Sequence, residues 1–87
     1  MEIHRSARRH GVEDADIRHA ADHLLVVVDV DLDSDPPKQL AIGPDRAGNL
    51  LEMMVLLLAD DRLLVIHAMP LRSAFHDLLP GEEGSGG

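Results

Sequence analysis

The chain has no cysteine, no tryptophan, no tyrosine and one phenylalanine, Phe75. Without cysteine there is no disulfide, no thiolate zinc or iron–sulfur ligation, and no thiol nucleophile. With one aromatic ring there is no platform on which successive bases stack, which excludes single-strand binding in the style of RNA-recognition motifs and OB-folds. Basic residues are scarce: 8 against 16 acids, a formal charge of −8. That balance opposes tight non-specific binding to nucleic acid and attraction to an anionic membrane surface. Long apolar runs are missing too. The longest, Met53 to Ala59, has seven residues, whereas a spanning helix needs about 20. The arginines near Met1 are not followed by an apolar stretch, so no signal peptide is expected, and a cysteine-free chain of this size is expected in the cytoplasm.

What remains is an ordinary share of aliphatic residues in 87 positions. The length suits one domain with a thin stability margin and a core of Leu, Val, Ile, Met and Ala. The domain is expected over residues 1–80, with 81–87 as a disordered acidic, Gly-rich tail. Arg5 to His10 reads as a short helix stopped by Gly11. A second helix is expected from about Asp14 to His23, because Ile17, Ala20, Ala21 and Leu24 recur at helical spacing. Leu25 to Val30 is β-branched and reads as a strand, broken by Asp33-Ser34-Asp35-Pro36-Pro37. Strands over 38–43, 50–59 and 62–69 follow, the last two joined by a tight turn at Asp60-Asp61. Leu71 to Leu79 reads as a final short helix, ended by Pro80-Gly81. The fold class is therefore α+β: two N-terminal helices, an antiparallel meander of three to four strands, and a short C-terminal helix. Strands 50–59 and 62–69 are apolar on nearly every residue, which requires both faces to be covered. The hairpin 50–69 is thus the expected seat of a partner protein or of a second copy.

Four groups of residues carry candidate chemistry. The acids Asp29, Asp31, Asp33 and Asp35 alternate as in a calcium loop, but Ser34 and Leu40 stand where Gly and a bidentate Glu are required, so calcium is rejected. The acids read instead as a solvated strand end that discourages edge pairing. His19 and His23, four apart on a helix, share a face, but no third ligand stands out; a polar helix edge outweighs zinc there, and neither a metal nor a cofactor is expected. His4-Arg5-Ser6-Ala7-Arg8-Arg9-His10 is a basic island. It suits phosphate contacts or pairing with an acidic surface equally well. Finally, His67 lies near the end of an otherwise apolar strand, on rigid support and with access to solvent, as a general acid or base requires. Arg72 and Arg46 are candidate phosphate-neutralising cations, and His76 lies nearby in the sequence. The bland alternative for His67 is a core histidine with one hydrogen bond.

Arg9-His10-Gly11-Val12, then an acidic helix, Ile42-Gly43, Ala47-Gly48-Asn49-Leu50-Leu51-Glu52 and Val65-Ile66-His67-Ala68-Met69 together resemble the BrnT family of bacterial toxins. The resemblance spans roughly residues 5–79. It implies a small α+β fold like the RelE-type ribonucleases, RNA cleavage without a metal, and a cognate antitoxin. On this reading Arg9 and His10 match the family's Lys-His pair. Arg46 falls in a loop that is often basic, and His67 and Met69 replace the Ser and Arg of a Ser-Ala-Arg motif. Phe75 falls near a position often held by Tyr, and the family's first strand is shortened to Met1–His4. The lost Arg removes a cation from the implied active strand. Either His67 has taken a catalytic role, or the chain keeps only partner binding, as a homodimer or with an antitoxin. For a ribonuclease, the chain offers His10, His67 and His76 as candidate base and acid, with Arg9, Arg46 and Arg72 as candidate cations.

Overall fold

The computed structural model describes residues 1–80. Its elements are β1 (Glu2–Ile3), a 3₁₀ turn (Arg5–Arg8), α1 (Asp14–Asp22), β2 (Val26–Asp31), β3 (Lys38–Pro44), β4 (Leu50–Leu57), β5 (Leu63–Pro70) and a C-terminal 3₁₀ helix (Ser73–Leu78). The strands form one five-stranded sheet in the order β1-β5-β4-β3-β2. β2 to β5 make an antiparallel meander, and β1 joins β5 in parallel.

The α+β class holds, with three differences from the sequence reading. The first expected helix is a single 3₁₀ turn, because Gly11 follows at φ +78° and stops the chain from winding further. The sheet is mixed rather than purely antiparallel, since the chain start reaches the free edge of β5 and pairs Glu2 and Ile3 with Leu64 and Val65. The last helix is also 3₁₀ and begins at Ser73, after Leu71 has donated its N–H to the Leu50 carbonyl and so extended the strand ladder. The tail expected over 81–87 lies outside the described residues.

α1 lies across β3 and β4 on one face of the sheet. It buries Ile17 and Ala20 against Ala41, Leu51, Met53 and Val55. The 3₁₀ turn adds Ala7 beside Val65 and Ala68. Full burial of Ile17, Met53 and Val65 removes on the order of 1.5–3 kcal/mol worth of apolar surface per side chain from water. Gly43 permits the helix to approach this closely. A Cβ there would collide with the Ala20 carbonyl oxygen and lie 3.1 Å from its carbon. The hairpin 50–69 is thus covered on one face by the chain's own helix. On the other face Leu40, Ile42 and Glu52 are buried, while Met54, Leu56, Leu64 and Met69 remain half-buried.

The β4–β5 connection is a three-residue turn in which Asp60 and Asp61 both take left-handed conformations, φ +61° and +60°. A right-twisted hairpin asks for such residues, and Asp tolerates them better than most non-glycine residues do.

Candidate functional site

The site forms where β5 changes register. Met54 faces His67 but Val55 faces Val65, so Ile66 is an extra residue, a β-bulge. A bulge frees one carbonyl from the ladder and re-aims the next side chain. Here the freed group is satisfied: Ser6 Oγ donates to the Ile66 carbonyl at 2.7 Å. That bond pins the 3₁₀ turn against β5, and His4 N-caps the turn by accepting the Ser6 N–H on Nδ1. The chain after the turn then delivers His10 beside His67. Their rings meet edge to face with centroids 5.4 Å apart.

Glu52 organises the other side. It is the only buried charged residue among those described, at 1% exposure. His67 Nε2 lies 3.1 Å from its Oε2. Arg72 donates its backbone N–H and Nε to Oε1 at 3.0 Å, and its Nη2 to Oε2 at 2.7 Å. Burial pushes the Glu52 carboxyl up, but the bonds from the Arg72 side chain, the Arg72 backbone and His67 outweigh it and hold the group below the usual carboxylate range. The Arg72 guanidinium is raised in turn by the same carboxylate. Arg72 also stacks over Phe75, 5.3 Å from the ring centre.

An ionised carboxylate only accepts, so the bond to Glu52 places the neutral His67 proton on Nε2. His67 Nδ1 is then the basic nitrogen. With the His67 side chain 27% exposed, the ring combines a fixed tautomer, a buried orienting acid and access to solvent.

Of the residues singled out in the sequence, the structure joins His67 and Arg72 through Glu52 and sets His10 against the His67 ring. Arg9 adjoins His10 in the chain and makes no ion pair among the described residues. Arg46 is elsewhere. It is tied to Asp16 and Glu13 at the start of α1, at 2.9 and 2.8 Å, where it fastens the β3–β4 loop to the helix. His76 sits exposed on the C-terminal 3₁₀ helix, and its side chain makes no hydrogen bond within the described residues. Glu52 is not among the site residues the sequence reading names; it stands there only at the end of the Ala47–Glu52 motif. Its signal was available: a lone acid inside an apolar strand must be partnered.

His19 and His23 stack in near-parallel fashion, centroids 4.1 Å apart. Both Nδ1 atoms face backbone carbonyls, of Pro44 and of His19. No group of three metal-ligating side chains occurs among the described residues, and no helix there is long and apolar enough to cross a membrane. Compared with protein-family models, curated proteins and solved structures, the chain has no match.

Proposed function

We propose that the chain is a BrnT-like toxin of a toxin–antitoxin pair that cleaves RNA without a metal, using His67 and His10 as base and acid. The observation that carries this reading is the His10–His67 pair, with His67 bonded to the buried Glu52 beside the β5 bulge and His10 at the end of the basic island. RNA supplies its own nucleophile. His67 Nδ1 takes the proton of a 2′-hydroxyl, and the oxygen attacks the adjacent phosphorus. The P–O5′ bond breaks, and protonated His10 gives its proton to the leaving oxygen. The products are a 2′,3′-cyclic phosphate and a free 5′-hydroxyl. Glu52 is a positioning residue: it fixes the His67 tautomer and stabilises the imidazolium that forms. Arg5 and Arg9 are the cations on this side that no described acid pairs. Arg72 is largely neutralised by Glu52 and serves the histidine more than the phosphate.

The test is cleavage of a structured RNA by purified protein in excess chelator, with end-group analysis. The expected result is cyclic-phosphate ends, and a loss of about 10²–10⁴-fold in His67→Ala and in His10→Ala. Equal rates in wild type and His67→Ala, or loss of activity on adding chelator, would reject the mechanism.

A further inference from the structure

β2 ends the sheet, and its outer edge has no neighbour among the described residues. Exposed large apolar side chains gather there: five of the seven, Leu24, Leu25, Val27, Val30 and Leu32, lie in one stretch of nine residues. α1 does not reach them, because it stops at Asp22 and packs on β3 and β4. A free sheet edge bearing apolar side chains is a template for another strand. The acids define what that strand must be. Asp29, Asp31, Asp33 and Asp35 are all exposed along and just beyond β2. Asp29 is occupied with Gln39, and Asp31 with the backbone of Asp33 and Ser34. Asp33 and Asp35 have no side-chain partner among the described residues. The nearest base opposite is Lys38, paired across with Asp31.

We propose that the edge of β2 docks an extended, basic segment of another protein, which adds to the sheet as a further strand. Its alternate apolar side chains cover Val27 and its neighbours, and its Lys or Arg residues meet the acidic run. A second copy of this chain is the wrong occupant. In a β2–β2 pairing two copies of the same acidic strip, Asp29, Asp31, Asp33 and Asp35 of each, come together along one edge, and like charges close across strands repel. The proposal depends on the sheet edge and its charges, not on RNA cleavage, so either can fail alone.

The probe is a fluorescent six-residue peptide of alternating Lys and Val, titrated into the full-length protein by anisotropy, with the Glu–Val counterpart as control. Two double variants carry the same net charge. Asp33→Asn/Asp35→Asn neutralises the strand end, and Asp60→Asn/Asp61→Asn neutralises the distant turn, where Asn also tolerates a left-handed backbone. The Lys–Val peptide is expected to bind, to slow exchange of the Val26–Asp31 amides, and to lose about fivefold or more in affinity in the strand-end variant only. Equal weakening in both variants, equal binding of the acidic peptide, no binding, or a dimer of the chain alone in light scattering would each overturn the proposal.

Discussion

Replacing Glu52 with Gln removes one charge and leaves the shape of the side chain. In the wild type the carboxylate accepts the Arg72 N–H, Nε and Nη2 and the His67 Nε2–H. Gln offers one acceptor oxygen and points an NH₂ group at donors. A hydrogen bond to a charged group contributes about 1.5–3 kcal/mol when its partners are withdrawn from water. The Arg72 side chain is 55% exposed, so its guanidinium bonds count for little after solvent screening. The backbone N–H and the His67 bond remain, giving an expected loss of about 2–3 kcal/mol at neutral pH. A domain of this size holds roughly 5–13 kcal/mol in all, and the melting point should fall by about 10–20 °C. The chain has neither Trp nor Tyr, so the assay is urea and thermal unfolding followed by far-ultraviolet circular dichroism. Acid supplies the second arm. The folded pKa of Glu52 is depressed, so its contribution is present above the unfolded carboxylate pKa and disappears as pH falls through the folded one. Wild type and Glu52→Gln should therefore converge on acidification. A neutral-pH difference below about 0.5 kcal/mol, within the ordinary range of surface substitutions, or a gap that stays constant into acid, would refute the account of Glu52 as an ionised hub.

Three further substitutions probe the frame around the site. Gly43→Ala drives a Cβ into the Ala20 carbonyl; backbone must move, and a loss of about 3 kcal/mol is expected in urea unfolding. Met53→Ala empties a fully buried position and should cost about 2–5 kcal/mol with an unchanged denaturant slope. Asp61→Gly relieves a left-handed backbone at φ +60° and creates the Asp-Gly pair that hairpins favour. It should raise stability by up to about 1 kcal/mol, seen as a higher urea midpoint.

The elements that periodicity marks are those the structure contains. Ile17 and Ala20 stand at helical spacing and are buried; Leu24 continues the same stripe but is exposed, because the helix ends two residues earlier. The run expected as a strand over 25–30 is one over Val26–Asp31, and those expected over 50–59 and 62–69 are strands over Leu50–Leu57 and Leu63–Pro70. β1 carries no periodic signal in two residues, and its place beside β5 follows from a contact across some 60 positions. Local propensity does not encode such a contact. Arg46 shows the same limit from the other side. An exposed loop arginine reads as a free cation until folding brings Asp16 and Glu13 to it.

The bulge at Ile66 links the fold to the chemistry. Strict alternation along β5 would place Ala68 and Ile66 on one face and His67 on the other. The extra residue breaks the ladder, and Ser6 fills the exposed carbonyl from the turn that begins the basic island. One hydroxyl thus satisfies a defect in strand pairing and, beside the β1 pairing, adds a tether to the turn that leads to His10. Ser6→Ala separates structural from chemical effects. It leaves the Ile66 carbonyl without its donor, a loss of about 1 kcal/mol, while Glu52, His67 and Arg72 keep their bonds. If RNA cleavage depends on the His10–His67 pair, Ser6→Ala should lower the rate at saturating RNA far more than it lowers the melting point, and weaken RNA binding little. A rate that survives Ser6→Ala would show that His10 does not need this tether. A rate that survives both Ser6→Ala and His10→Ala would leave His67 and Glu52 as the working pair.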